Sequence, residues 1–321
     1  MSVVPEYASS DAPILRTEAL VKRYNGVAAL KGLTFEVPRG SIYGFVGPNG
    51  AGKTTTMRIL ATLLTLDGGE AWIDGKPLSS NPRDVRARIG YMPDFFGVYE
   101  NLTSVEYLDF YASAYGVPGP ESRRTNAELL ELVDLTNKRD EFVENLSRGM
   151  KQRLGLARCL VHNPQILLLD EPASGMDPRA RFELREIIKE LQRMGKAILI
   201  SSHILLELAE MCTHIGIIQD GRLLRQGPVD AILGSLKGAR SLRVGILGDP
   251  QSAATVISQQ PHVTGVVVAD NGLEITYGGD EQDVAILLRA LVESDVQVIH
   301  FSEASSSLEE IFMQLTESEE S

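Results

Sequence analysis

Two cysteines and one tryptophan are all of either type that the 321 residues hold. Cys159 and Cys212 lie in helical-looking stretches without metal-ligand spacing, which argues against a disulfide framework and fits a reduced compartment. No apolar run reaches the roughly 18 to 20 residues that span a bilayer, so any work at a membrane needs recruitment by another chain. The start, MSVVPEYASSDAP, lacks a basic patch followed by an apolar stretch. It is not a signal peptide, and residues 1–12 read as a disordered leader. An excess of positive charge is missing too, because the net charge is −12. From Ala239 onward 14 acids face 3 bases, against 29 acids and 28 bases before it. Nucleic acid and anionic lipid call for the opposite balance, so no nucleic-acid partner is expected. The acidic region reads as a solubilising surface.

What is present is the composition of a globular protein, 43% hydrophobic and 23% charged. The length suggests about two domains. Residues 13–237 alternate apolar, β-rich runs with amphipathic helical stretches, the mark of an α/β fold with parallel strands. Ser41–Gly47 runs straight into a glycine-rich turn. Gln165–Glu171 and Ala197–His203 are solid apolar runs ending in polar groups, as central strands buried on both faces require. Residues 94–145 read as mostly helical, with breaks at Pro118, Gly119 and Pro120, and a helical subdomain is expected over about 94–160. After Lys237 the texture changes, and residues 238–321 follow the order βαββαβα of a small ferredoxin-like α+β domain. No internal repeat relates the two parts.

The segment GPNGAGKT, Gly47–Thr54, matches the P-loop pattern in full, with a strand before it and a helix after it. Gly47, Gly50 and Gly52 permit backbone angles and close approaches that a side chain would block. Backbone N–H groups and the helix start then face phosphate. Lys53 reaches the β- and γ-phosphates, and Thr54 ligates Mg²⁺. Asn49 and Thr55 belong to the same nucleotide-binding set. A P-loop alone does not choose between kinase, GTPase and motor ATPase. Asn137–Asp140 spells the guanine-reading N-K-x-D, but an acidic, helical-looking stretch precedes it where a buried strand belongs, so it reads as a surface loop.

Asp170 and Glu171 close a central strand, and ligands of open α/β sheets sit at the carboxyl ends of strands. Asp170 is expected to hold Mg²⁺, and Glu171 to orient and polarise the attacking water as a general base. His203 ends a neighbouring strand, where it is either a site residue or a packed surface histidine.

With these pieces in place the chain resembles the ATP-binding cassette (ABC) family over essentially its whole length. LSRGMKQRL, Leu146–Leu154, looks like the family's signature, which other P-loop classes lack. Ala173–Pro178 looks like the D-loop, His203 like the switch histidine, and Gly90–Asp94 occupies the Q-loop position. Tyr24 stands where the family stacks an aromatic ring on adenine. The final helix Leu308–Leu315 and the acidic domain resemble bacterial drug- and multidrug-exporter ATPase subunits. The resemblance implies an ATP- and Mg²⁺-dependent hydrolase at the cytoplasmic face of the membrane. It implies a transmembrane permease on a separate chain, with a homodimer or a related subunit completing each site. Ser147 and Gly149 of one subunit would touch the γ-phosphate on the other. The permease is expected to dock near Phe95–Tyr115, whose residues equally suit a core. The alternative is a soluble ABC ATPase acting on ribosomes or DNA, but such members usually carry two cassettes and a basic linker.

Three positions depart from the family. Arg148 replaces glycine and Met150 replaces glutamine in the signature, and Asp94 replaces the Q-loop glutamine. Arg148 either aids phosphate binding or points outward. Asp94 is either an Mg²⁺ ligand or a turn residue after Pro93. The C-terminal domain could stabilise the pair, regulate turnover or cap a sheet edge.

Overall fold

A computed structural model describes residues 12–94, 97, 101–236, 240–248, 250–269, 272–279, 281–294 and 296–304. The expected leader, Ala12 apart, the expected last helix and Phe95, Phe96 and Val98–Glu100 of the expected docking region lie outside the described residues. Contacts divide the chain into two compact units, Met1–Val229 and Asp230–Ser321. The division precedes the Lys237 boundary expected from composition, because the texture of the sequence changes only after an intervening helix has ended.

In the first unit, strands β1 (Leu15–Tyr24) and β2 (Val27–Val37) form a hairpin through Asn25–Gly26. β3 (Ile42–Val46) leads through the P-loop into α1 (Lys53–Leu60). There follow β4 (Gly68–Ile73), β5 (Lys76–Pro77), α2 (Pro82–Arg86) and β6 (Ile89–Met92). Three helices come next, α3 (Ser104–Ala114), α4 (Gly119–Leu132) and α5 (Arg148–Leu160). The unit continues with β7 (Ile166–Asp170), α6 (Pro178–Arg193), β8 (Ala197–Ser202), α7 (Leu205–Ala209), β9 (His214–Gln219) and β10 (Arg222–Pro228). Helix α8 (Val229–Leu236) begins as the unit closes.

Among the described residues two sheets lie in this unit. The main one has the order β10-β9-β3-β8-β7-β6, parallel except for β10. Its central strands β3, β7 and β8 are buried at every position, which is why they read as unbroken apolar runs. The smaller sheet, β2-β1-β4-β5, is antiparallel. The α/β pattern with parallel strands did not single out this second sheet. Register shifts in β1 and β2 and a left-handed Ala19 break the alternation that would have exposed this sheet.

The helical stretch is broken differently from expectation. Pro118 caps α4, and Pro120 lies in its first turn, where a missing N–H costs nothing. Cys212 likewise falls just after α7 rather than within a helix, and both cysteines are free.

The second unit contains β11 (Arg240–Leu247), α9 (Pro250–Ser258), β12 (Val263–Ala269), β13 (Gly272–Tyr277), α10 (Glu281–Glu293) and β14 (Gln297–Ala304). The sheet order is β12-β13-β11-β14 with every neighbour antiparallel, the ferredoxin-like arrangement. Leu242, Val244, Leu273, Ile275, Leu287 and Leu291 belong to its separate core.

Candidate functional site

The P-loop leaves the middle of the main sheet, with β8 and β9 on either side of β3. Gly47 is pressed so closely on β9 that a Cβ there would stand 2.2 Å from the Ile218 carbonyl oxygen. Gly52 has φ 108°, and a side chain would run into Leu30 and the Ala29 carbonyl. Both glycines are therefore required by space or by backbone angle. The loop folds back on Lys53, which is buried and whose Nζ donates to the carbonyls of Gly47 at 2.7 Å and Pro48 at 3.1 Å. Asn49 and Gly50 are exposed at its tip, while Thr54 and Thr55 are half-buried in the first turn of α1.

Register brings the acids to this loop. Parallel pairing sets Asp170 beside Ser201 and Val46 beside Ser202, so the ends of β7, β8 and β3 lie level. One hydroxyl organises both acids. Ser201 Oγ donates to Asp170 Oδ1 at 2.7 Å and accepts the Glu171 N–H at 3.0 Å. Glu171 has φ 46°, a left-handed backbone that costs a non-glycine residue about 1 kcal/mol or more. That twist accompanies a carboxylate placed between a lysine ammonium and an imidazole. Its Oε1 lies 3.4 Å from Lys53 Nζ, and its Oε2 is 2.8 Å from Nδ1 of the half-exposed His203. Lys53, Asp170, Glu171 and His203 thus meet at the carboxyl ends of these inner strands.

Asp170 is fully buried, and its Oδ2 has no hydrogen-bond partner among the described residues. Burial is the main cause that pushes its pKa up. The Ser201 hydrogen bond works the other way, as does the nearby Thr54 hydroxyl, and the charges of Asp94 and Glu171 push it up further. A buried carboxylate oxygen without a partner, beside a threonine hydroxyl and a second carboxylate, is a set of hard oxygen donors of the kind Mg²⁺ takes. Asp94 itself is exposed, close enough for its charge to act on Asp170.

Other expected site residues stand apart from this cluster. Tyr24 ends β1 opposite Val27, and the two form an exposed apolar pair, 44% and 72% accessible. Ser147 caps α5, accepting the Met150 N–H at 3.3 Å. No hydrogen bond or ion pair joins Ser147 or Gly149 to the P-loop among the described residues. Gly149 faces Ala180, where a Cβ would come within 2.8 Å. The guanidinium of Arg148 lies flat on Gly175, 2.4–2.6 Å from where a Cβ would sit. Arg148 thus packs on the turn after β7, which is neither of the two readings expected for it. Asn137–Asp140 forms a surface turn, not a strand end.

A groove of about 300 Å³ lies beside β6, lined among others by Leu63, Tyr91, Pro93, Tyr111, Tyr115 and Arg158. Arg158 stacks over Tyr111 at 5.1 Å and donates to the Tyr91 carbonyl, and Tyr115 lies parallel to His162 at 3.7 Å. Tyr107 and Leu108 of the same helix are core. The sequence reading missed Ser201. Its signal was a hydroxyl at the end of a strand neighbouring the acids, visible only once the register is known.

Known protein families, relatives and structures match this chain. Residues 30–174 match the sequence family described as ABC transporter, and residues 227–316 match the C-terminal domain of DrrA1-3-like ATP-binding proteins. The chain is similar to the daunorubicin/doxorubicin resistance ATP-binding protein DrrA of Streptomyces peucetius, 36% identical over 94% of this chain and 92% of that protein. It is also similar to the bacitracin transport ATP-binding protein BcrA of Bacillus licheniformis, 35% identical over 94% and 97%. Among solved structures it resembles an ATP-binding subunit of an ABC transporter, with TM-score 0.63 and 32% identity, over 70% of this chain and 93% of that one. A second is cbiO1 of Clostridium perfringens, part of the ABC transporter complex cbiONQ, with TM-score 0.64 and 26% identity over 71% and 94%. Taken with the P-loop, the acids at the strand ends and the helix-capping Ser147, these likenesses establish that the chain belongs to the ABC transporter family as an ATP-binding subunit.

Proposed function

We propose that this subunit hydrolyses ATP with Mg²⁺ and thereby drives export through a transmembrane permease on a separate chain. The observation that carries this is the placement of Glu171, 2.8 Å from His203 and 3.4 Å from Lys53, beside a buried Asp170 with a free oxygen. In this reading Lys53 turns from the loop carbonyls to the β- and γ-phosphates, while the P-loop N–H groups and the start of α1 cradle them. Thr54, Asp170 and Asp94 would hold Mg²⁺, which, when bound, offsets negative charge on the phosphates. Glu171 accepts the proton of the attacking water, and His203 orients that carboxylate. Tyr24 with Val27 offers a flat apolar surface to adenine.

A second copy, or a related subunit, completes each site. Ser147 and Gly149 start α5, a helix end suited to anions, and no hydrogen bond or ion pair among the described residues joins them to their own P-loop. That separation supports a contact with a neighbour's γ-phosphate rather than with the chain's own. The aromatic groove at Tyr91, Tyr111 and Tyr115 is the favoured seat for a short helix of the permease. No helix among the described residues is long and apolar enough to cross a membrane, which agrees with attachment through that partner. The relatives DrrA and BcrA are named for daunorubicin/doxorubicin resistance and for bacitracin transport, which supports export as the direction.

Steady-state hydrolysis tests the reading. Glu171→Gln should bind ATP as the wild type does and lose turnover about a hundredfold or more. Undiminished hydrolysis in that variant would remove Glu171 from the chemistry.

A further inference from the structure

The turn Ala173–Asp177 follows the catalytic strand end, and two arginines hold it, Arg148 of the signature stretch and Arg181, which lies in none of the motifs. Arg148, next to Ser147, rests on Gly175. It makes no hydrogen bond or ion pair with another described residue, so packing is what it contributes there. Arg181 enters from α6. Its Nε donates to the Met176 carbonyl at 3.0 Å, and its Nη1 donates to Glu207 at 2.7 Å. Glu207 belongs to α7, the short helix entered from His203 through Ile204. A second ion pair, Arg185 with Glu210, runs beside the first and links α6 to the end of α7. A cavity of about 200 Å³ lies inside this bracket, lined among others by Glu171, Ser174, Arg181, His203 and Glu207.

We infer that Arg181 is a positioning residue that ties the 173–177 turn to the His203 segment, and that Arg148 extends the tie to Ser147. The inference rests on the reading above, in which Ser147 serves the neighbour's ATP and His203 serves its own chain's ATP. Under that reading, movement of Ser147 against a neighbour shifts Gly175 through Arg148. The Met176 carbonyl moves with it, and Arg181 and Glu207 carry the shift to the segment that sets His203 against Glu171. The planar guanidinium suits this task because its rigid fork serves a carbonyl and a carboxylate at once. A lysine ammonium lacks a donor at the Nε position and cannot hold both with the same geometry. The Arg181 and Glu207 side chains are 42% and 22% exposed, so solvent screening leaves the pair little weight in stability. A large effect on turnover with a small effect on folding is therefore the expected signature.

The test is steady-state ATPase of the full chain as wild type, Arg181→Lys, Arg181→Ala, Arg148→Ala and the double alanine variant, with Glu171→Gln alongside and melting recorded for each. Arg181→Lys should lose about tenfold or more in kcat, because misplacement by an ångström costs rate rather than affinity. Its KM should stay within about twofold, and its melting should match the wild type. The double variant should be no slower than Arg181→Ala, since both changes break one link. Wild-type kcat in Arg181→Lys, a loss carried by KM or by melting, or a double variant slowed by the product of the two single factors would each overturn the inference. Full turnover in Glu171→Gln would instead overturn the underlying reading, whatever the arginines do.

Discussion

Asp170 and Glu171 are adjacent in sequence but sit in different settings. Asp170 is buried with one oxygen free, while Glu171 is twisted out between Lys53 and His203. Burial raises the Asp170 pKa above its unfolded value. Its contribution to stability therefore becomes unfavourable as pH rises from the ordinary aspartate range through the folded pKa, and remains so at neutral pH. Asp170→Asn should melt higher than the wild type in the absence of metal at neutral pH, and should lose the stabilisation that Mg²⁺–ATP confers. Calorimetry with and without Mg²⁺–ATP checks both. For the same reason, Mg²⁺ affinity of the ATP-bound wild type should fall as pH drops through the raised pKa, because the metal must displace that proton. A titration across acid pH shows this; an affinity flat with pH would take Asp170 out of the metal site. That Lys53 meets Asp170 and Glu171 was legible in the sequence because each belongs to a short contiguous motif at the end of a strand. Ser201, the Arg148 packing on Gly175 and the Arg181 bracket were not, because each depends on which distant strand or helix lies alongside.

Among the elements, the start of α5 carries two separable roles. Ser147 caps the helix, and in the proposed reading it also meets a phosphate. Ser147→Ala should lose the cap, worth about 1 kcal/mol, along with the phosphate contact. Ser147→Asp keeps a good cap, so it should melt close to wild type, yet its charge should repel the triphosphate and suppress turnover. Thermal melts beside ATPase assays separate the two. Normal turnover in Ser147→Asp would contradict the assignment. The buried parallel strands were readable because burial on both faces leaves an unbroken apolar run. The antiparallel sheet was not, because bulges in β1 disturb the period of two. Pro120 was misread as a break because a proline in a first helical turn looks the same in sequence as one that ends a helix.

For the whole molecule, every residue of the candidate site lies in Met1–Val229, and the acidic second unit has a core of its own. A chain ending at residue 237 should therefore bind ATP with an affinity within about twofold of full length. A large loss would tie the second unit to the site directly. The ferredoxin-like order of that unit was readable from its alternating pattern. Its role was not, because a packed α+β core carries no chemical motif.

The central claim is that two copies close on ATP, with Ser147 of one completing the P-loop site of the other. Light scattering of Glu171→Gln with Mg²⁺–ATP tests it most directly. The predicted result is a monomer without nucleotide and a stable dimer with it, a dimer that Ser147→Asp in the same background abolishes. A variant that stays monomeric while saturated with ATP, or a dimer indifferent to Ser147→Asp, would contradict the account.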